Sequence, residues 1–190
     1  MHDGRRLFLF VGRPASGKET QARLLAEKLS AELFMTGARF REIIRSESLL
    51  GRRIKEEYDI GKLMPAWVAG FLFQEFLFNL PEEKHAVFEG TGRAPSEAEL
   101  FDEVAAWLGR PYTVFNLEVS PETVLARSAK RERDAADKTE AVKTRLAEYD
   151  SLTAPAIEYF RKAGKVVDID GEQPVEVIHE KIIKHVEELS

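Results

Sequence analysis

Short, continuously apolar runs alternate along this chain with longer stretches of helical spacing. Residues 7–11 form one such run, which stops at Gly12 and is typical of a strand buried on both faces of a parallel sheet. Further strands are predicted at residues 33–35, 85–89, 112–119 and 166–169. Because strands and helices alternate, we expect an α/β fold with a five-stranded parallel sheet.

The stretches between the strands predict helices. We expect them at residues 17–30, 66–80, 96–108, 138–163 and from Pro174 onward, with another starting at 120–122. Ser96 is predicted to be an N-cap, with Glu99 as its capping-box partner. The aromatic-rich helix 66–80 is expected to be buried in the core. The segments 37–66 and 130–137 break the alternation, and we interpret them as insertions on one domain of 190 residues.

Composition narrows the class of protein. With 44% hydrophobic and 32% charged residues, the chain is ordinary for a soluble globular protein. Its net charge of −5 argues against a nucleic-acid partner, because duplex-binding proteins usually present a basic face. The absence of cysteine excludes disulfides and thiolate metal sites. The run 7–11 is too short for a signal-peptide core or a membrane span, so we expect a cytoplasmic protein without a membrane partner.

The strongest single motif lies between the first strand and the first helix. Residues 12–18, Gly-Arg-Pro-Ala-Ser-Gly-Lys, have the spacing G-x-x-x-x-G-K of a phosphate-binding loop. In such a loop the backbone N–H groups and the helix N-terminus converge on phosphate oxygens, and the lysine adds positive charge near the β- and γ-phosphates. Glu19 stands where most of these loops carry the Ser or Thr for Mg²⁺, and Thr20 follows one place later.

Seven colinear segments of the chain resemble motifs of the adenylate kinase family. Residues 12–21 are similar to the loop G-x-P-G-x-G-K-G-T-Q, and residues 36–41 to T-G-D-x-x-R. Residues 58–65 resemble the G-K-L-V-P stretch, and residues 88–93 lie where D-G-F-P-R is expected. The other three segments match the lid and post-lid arginines, the run R-L-x-x-Y…T-A-P at 145–155, and the closing strand with its D-G turn at 168–171. The resemblance covers residues 7 to 188.

The resemblance implies a fold and an activity. The fold is a P-loop NTPase three-layer αβα sandwich with a helical monophosphate-binding lobe at about residues 36–66 and a short lid at about 128–139. That lid is too short to carry zinc. The activity is reversible, Mg²⁺-dependent transfer of the ATP γ-phosphoryl group to a nucleoside monophosphate, AMP in the first place, by a monomeric phosphotransferase.

The resemblance also implies roles for individual residues, because phosphoryl transfer between two polyanions requires cations from distant segments to converge. The catalytic residues would be Lys18, Arg93, Arg127, Arg131 and Arg145. ATP would be bound by Gly12, Arg13, Pro14, Ala15, Ser16, Gly17, Lys18, Glu19, Thr20, Arg127 and Arg131. The monophosphate would be bound by Thr36, Gly37, Arg41, Met64, Gly90, Arg93 and Glu97. Glu89, at a strand end, would act on Mg²⁺ through water.

Five residues depart from the family pattern: Ala15, Glu19, Ala38, Gly92 and Glu97. Glu19 places a carboxylate near the phosphates, which it repels unless a cation intervenes or its side chain points along the helix. Glu97 replaces a glutamine that reads the adenine edge in the resembling enzymes. An ionised glutamate offers only acceptors, which suit the N1–H and N2–H₂ donors of guanine.

Three alternatives to an AMP kinase therefore stay open. The acceptor is GMP or another monophosphate, the chain is a catalytically weak ATP-binding regulator, or it phosphorylates a small metabolite such as a sugar acid.

In the lid, Asp137 matches the second member of the family's D-D pair, Ala136 replaces the first, and Arg133 is a candidate for a further lid arginine.

Overall fold

A computed structural model describes residues 5–130 and 139–189 of the chain. Its strands are β1 (Leu7–Gly12), β2 (Glu32–Met35), β3 (Ala86–Glu89), β4 (Tyr112–Glu118) and β5 (Val166–Asp170). They form one sheet in the order β2-β3-β1-β4-β5, and every neighbouring pair is parallel. The predicted α/β fold with five parallel strands is therefore confirmed.

Helices connect the strands and cover both faces of the sheet. They are α1 (Lys18–Leu29), α2 (Thr36–Arg45), α3 (Leu49–Asp59), α4 (Ala66–Phe78), α5 (Pro95–Trp107), α6 (Pro121–Ala129), α7 (Thr139–Glu148), α8 (Ala154–Lys162) and α9 (Val175–Glu187). In the described part of the chain, no helix is long and apolar enough to cross a bilayer.

Alternate residues of β1 point into two separate hydrophobic clusters, as the period of a strand requires. Leu9 belongs to the cluster that includes Phe101 of α5, on one face of the sheet. Phe10 belongs to the other cluster, with Leu25 of α1 and Ile182 of α9. Because both faces are covered, β1 is apolar along its whole length, and the predicted three-layer αβα sandwich is confirmed.

The start of α5 differs from the prediction. The helix begins at Pro95, and Ala94 is its N-cap, so the prediction that Ser96 caps the helix is wrong. Proline suits the first helical position because its φ is already helical and that position needs no N–H donor. The acidic residue three places after the cap is therefore Glu97 rather than Glu99, and Glu97 is buried while Glu99 is exposed.

The long helix predicted at 138–163 is interrupted. After α7 the chain makes a π-helical turn, Tyr149–Thr153, before α8 continues to Lys162. Pro155, in the first turn of α8, has no N–H to offer the preceding turn, which accounts for the break in an otherwise helical pattern.

Helix α4 is buried on one face only. Phe73 is wholly buried in the core, but Phe71 is 62% exposed and Trp67 is 68% exposed. The expectation of a buried helix holds for the side that packs on α5 and fails for the opposite side.

The segment predicted as a monophosphate-binding lobe, residues 36–66, folds as α2 and α3 with the loop that leads to α4. Phe40, Ile54 and Met64 from this segment lie in the same hydrophobic cluster as the first face of the sheet. Most of the predicted lid, 128–139, falls outside the described residues.

Candidate active site

The loop between β1 and α1 has a backbone that few residue types allow. Gly12 has φ +132°, and a Cβ there would lie 2.4 Å from the carbonyl oxygen of Leu117. Gly17, with φ +98°, is the N-cap of α1, so the N-terminal N–H groups of that helix open onto the loop. Ala15 adopts φ +54°, a left-handed conformation that is costly for a residue with a Cβ. The loop therefore has the backbone of an anion cradle.

Lys18 lies across this loop. Its side chain is buried, and Nζ donates to the carbonyl oxygen of Arg13 at 2.6 Å, with Ser16 Oγ at 3.4 Å. The carboxylate of Glu19 accepts from Arg23, one helical turn further on, at 3.2 Å. An ion pair along the helix reduces the repulsion that the sequence predicts between Glu19 and a bound phosphate.

Two arginines tie the loop to the rest of the chain. Arg127 donates to the carbonyl oxygens of Ala15 at 3.3 Å and Gly171 at 3.0 Å. Arg13 donates to the carbonyl oxygen of Val119 at 2.9 Å, and its guanidinium lies 5.0 Å from the ring centroid of Tyr149. Both arginines thus join the loop to segments more than a hundred residues away.

A second group of cations in this cleft lies around Tyr58. Arg41 donates to the Tyr58 hydroxyl at 2.9 Å, and the guanidinium of Arg145 lies 5.5 Å from the centroid of the Tyr58 ring. Thr36, at the start of α2, shares a hydrogen bond with Thr91 between their hydroxyls at 3.2 Å, and both residues are buried. Tyr58 therefore connects an arginine of α2 with one of α7.

Arg93 lies in the loop between β3 and α5, and its side chain lines the same cleft. Burial lowers the pKa of its guanidinium; the neighbouring charge of Arg145 acts in the same direction, and that of Glu89 opposes it. The carbonyl oxygen of Arg93 accepts from the hydroxyl of Thr153 at 3.0 Å. Arg93 thus brings a half-buried positive charge to the cleft.

The carboxylate of Glu97 lies behind this loop, and the side chain is only 4% exposed. Its two oxygens accept the backbone N–H of Gly92 at 2.8 Å and that of Arg93 at 3.2 Å. Burial raises the pKa of Glu97 to about 7, although both hydrogen bonds and the charge of Arg93 favour the ionised form. Glu97 does not line the cleft.

The structure brings most of the predicted site residues to one cleft. Those that line it are Pro14, Ala15, Ser16, Gly17, Lys18, Glu19, Gly37, Arg41, Glu89, Gly90, Arg93 and Arg145. Predicted residues that do not line it are Gly12, Arg13, Thr20, Arg127, Thr36, Met64 and Glu97. Met64 packs in the core instead, and Thr20 is exposed on α1. Arg131, Arg133, Ala136 and Asp137 lie outside the described residues.

Sequence reasoning missed five residues that also line the cleft: Met35, Ala38, Tyr58, Ser128 and Val142. Ala38 and Tyr58 fall within segments that resemble family motifs, and that position was the available signal. Helical spacing gives none for Ser128 or Val142, because which side of α6 and α7 faces the cleft depends on tertiary packing.

Two carboxylates, Glu19 and Glu89, line the cleft and are the residues that could contact a metal there. In the described part of the chain, no three His, Asp or Glu side chains are grouped so as to hold a metal ion by themselves. Mg²⁺ usually binds through one or two carboxylates, several waters and the phosphates of a substrate. The donor set therefore fits an Mg²⁺ ion that is carried on a nucleotide.

Comparison with known proteins points in one direction. The family profile described as adenylate kinase matches residues 10–165. The "Adenylate kinase 1" of Synechocystis sp. is 35% identical over 180 residues, which are 93% of this chain and 96% of that protein. An "Adenylate kinase" of Phocaeicola vulgatus is 32% identical over 95% of this chain and 98% of its own length. One from a Caulobacter species is 34% identical over 90% and 93%.

Proposed function

The chain belongs to the adenylate kinase family and is a phosphotransferase. We propose that it transfers the γ-phosphoryl group of ATP, with Mg²⁺, reversibly to AMP. One observation carries the proposal: Lys18 on the phosphate loop lines the same cleft as Arg41, Arg93 and Arg145. Two polyanions that approach each other end to end require positive charge on both sides and between them.

On the ATP side we assign the phosphates to loop 12–20, where backbone N–H groups and the N-terminus of α1 supply donors. Lys18 exchanges its bond to the carbonyl of Arg13 for a phosphate oxygen when nucleotide binds. Arg127 keeps the loop in shape through its bonds to Ala15 and Gly171. Arg131 is proposed to contact the nucleotide from the lid.

On the acceptor side we assign the monophosphate to Arg41 and Arg93, with Thr36, Gly37 and Gly90 as its surroundings. Planar guanidinium groups suit phosphate oxygens because they donate two parallel hydrogen bonds. Arg145 lines the same cleft and is proposed to stabilise the phosphoryl group in transfer. Met64 would support this side from the core rather than by contact.

Glu89 is the residue proposed to act on Mg²⁺ through a bound water, with Glu19 as the second carboxylate in reach of the cleft. When bound, the ion neutralises negative charge on the β- and γ-phosphates. The protein's own contribution is to present a carboxylate at the C-terminal end of β3, where ligands of parallel sheets bind.

AMP is proposed as the acceptor because the relatives are named adenylate kinases. The GMP alternative needs the carboxylate of Glu97 at the base edge, and both its oxygens already accept backbone N–H groups. A mobile monophosphate-binding lobe at 36–66, a short lid at 128–139, a monomeric state and a cytoplasmic location remain predictions.

The test is the formation of ADP from ATP and Mg²⁺ with AMP, GMP, CMP or UMP supplied in parallel. We expect turnover with AMP, and a decrease of about 10²–10³-fold for Lys18→Ala and for Arg93→Ala. Lys28→Ala, exposed on the same helix, and Arg53→Ala, exposed on α3, are the matched controls and should keep wild-type activity. Turnover of GMP alone would show that the acceptor is GMP and not AMP. ATP binding without any turnover would support the regulatory alternative.

A further inference from the structure

Arg93 is held through its backbone from both sides. Its N–H donates to Glu97 of α5, and its carbonyl oxygen accepts from Thr153 of the π-helical turn. Glu97 and Thr153 are 4% and 1% exposed, so the side-chain partner in each hydrogen bond is buried, while Arg93 is half-buried. Hydrogen bonds to buried partners on both peptide groups fix the position of the Cα, and with it the point from which the guanidinium reaches into the cleft.

Gly92 explains why a carboxylate is useful at position 97. It has φ +73°, and a Cβ there would lie 2.9 Å from the ring of Phe160, so the loop requires glycine. Its N–H points at Glu97, next to the N–H of Arg93. Two adjacent donors need two acceptor oxygens, which a glutamate supplies, whereas a glutamine turns its NH₂ group towards one of them. A proline at position 92 would have no N–H at all.

The charge of the cleft explains why Arg93 needs such fixing. Arg145 lies close enough to lower the pKa of the Arg93 guanidinium, so the two cations repel each other before a phosphate arrives. Repulsion favours positions in which one side chain moves into solvent. A backbone that is fixed on both sides limits that escape.

From this geometry we infer that Glu97 and Thr153 are positioning residues, which hold the backbone of Arg93 so that its guanidinium stays in the cleft, and that Glu97 acts on this loop rather than on the base of the acceptor. The inference rests on the proposed function for its kinetic consequences. The hydrogen bonds themselves are testable without any turnover.

The first experiment compares Glu97→Gln with Glu99→Gln, the same substitution at an exposed position of the same helix. We expect Glu97→Gln to lower kcat by about tenfold to a hundredfold, since small displacements of a positioning group are costly, and to leave the KM for ATP and the AMP-to-GMP turnover ratio unchanged. Glu99→Gln should match the wild type. Equal kcat in the two variants, or a change in the AMP-to-GMP turnover ratio of Glu97→Gln, would overturn the inference for Glu97.

The second experiment asks whether the effect passes through Arg93. In an Arg93→Ala background, Glu97→Gln should cause no further decrease in kcat, because the guanidinium that it positions is already gone. An equally large decrease in that background would refute the positioning role. Thr153→Val should lower kcat, and Thr153→Ser, which keeps the hydroxyl, should restore it; failure of the serine to do so would remove Thr153 from the inference.

The third experiment measures amide hydrogen exchange. The N–H groups of Gly92 and Arg93 should exchange faster in Glu97→Gln than in the wild type or in Glu99→Gln, and unchanged exchange would contradict the hydrogen bonds on which the inference rests. A wild-type chain that turned over no monophosphate would refute the proposed function instead, and the exchange rates would still decide whether Glu97 holds the loop.

Discussion

Replacing Glu97 with glutamine is expected to raise the stability of the chain above pH 7 while it lowers turnover. Burial raises the pKa of this carboxyl group from 4.5 to about 7, even though the N–H groups of Gly92 and Arg93 favour its ionised form. The charged groups nearby are Arg93 itself and, around Arg93, Glu89 and Arg145. An amide has the shape of the protonated acid but cannot ionise, so it avoids the desolvation of a buried charge.

The magnitude follows from the interval between the two pKa values. Each pH unit is worth about 1.36 kcal/mol, so the interval from 4.5 to about 7 corresponds to about 3 kcal/mol. The folded chain binds this proton more tightly than the unfolded chain does. The stabilisation by Glu97 is therefore complete below pH 4.5 and is lost as the pH rises through about 7.

The assay is urea unfolding of the wild type, Glu97→Gln and Glu99→Gln between pH 4.5 and pH 8. The free energy of unfolding of the wild type is subtracted from that of each variant at the same pH. The contributions of groups that titrate equally in both chains then cancel. We expect a small deficit for Glu97→Gln at pH 4.5, because its NH₂ group faces one of the two N–H donors, and a shift of about 3 kcal/mol in its favour between pH 4.5 and pH 8. A difference that does not change with pH, or that appears equally in Glu99→Gln, would refute the reasoning.

Three further substitutions test other parts of the site. Ala15→Gly should stabilise the chain by about 0.5–1 kcal/mol in urea unfolding, since relief of the left-handed strain at φ +54° exceeds the added entropy of the unfolded chain. A loss of stability would contradict that strain. Gly92→Ala should destabilise the chain by about 2 kcal/mol or more, because the new Cβ meets the ring of Phe160 and residue 92 has a positive φ. An unchanged midpoint of urea unfolding would contradict the requirement for glycine. Tyr58→Phe removes the hydrogen bond to Arg41, which is worth about 1 kcal/mol, so it should raise the KM for AMP about fivefold and leave the KM for ATP unchanged. A change in both KM values would contradict a role of Tyr58 on the acceptor side alone.

The features that the sequence predicted well are those that depend on local pattern. The run at residues 7–11 identified β1 because a central parallel strand is apolar on both faces, and loop 12–18 was placed because its spacing, strand and helix agree. The features that it missed depend on competition or on tertiary contacts. Ser96 has the chemistry of a cap, yet Pro95 takes the first helical position, and Glu97 rather than Glu99 turns inward.

The role of Glu97 shows why resemblance alone misjudges a substituted site. Judged from its position in the motif, this residue faces the base, and its exchange from glutamine suggests a different base. In the structure its side chain turns away from the cleft, to two N–H groups, one of which exists because position 92 is not proline. Two departures from the motif that lie five residues apart are therefore joined by a hydrogen bond, which a residue-by-residue comparison does not show.

The unfavourable features of this chain also bear on whether it is an enzyme or an ATP-binding regulator. Ala15 in a left-handed conformation lies on the ATP side of the cleft, and binding alone can account for it. The buried acid at Glu97 and the desolvated Arg93 beside Arg145 lie on the acceptor side. A protein that only binds ATP gains nothing from holding two repelling arginines and an acid with a pKa near 7 there. Since such costs are retained where function needs them, their place favours catalysis on a second phosphate.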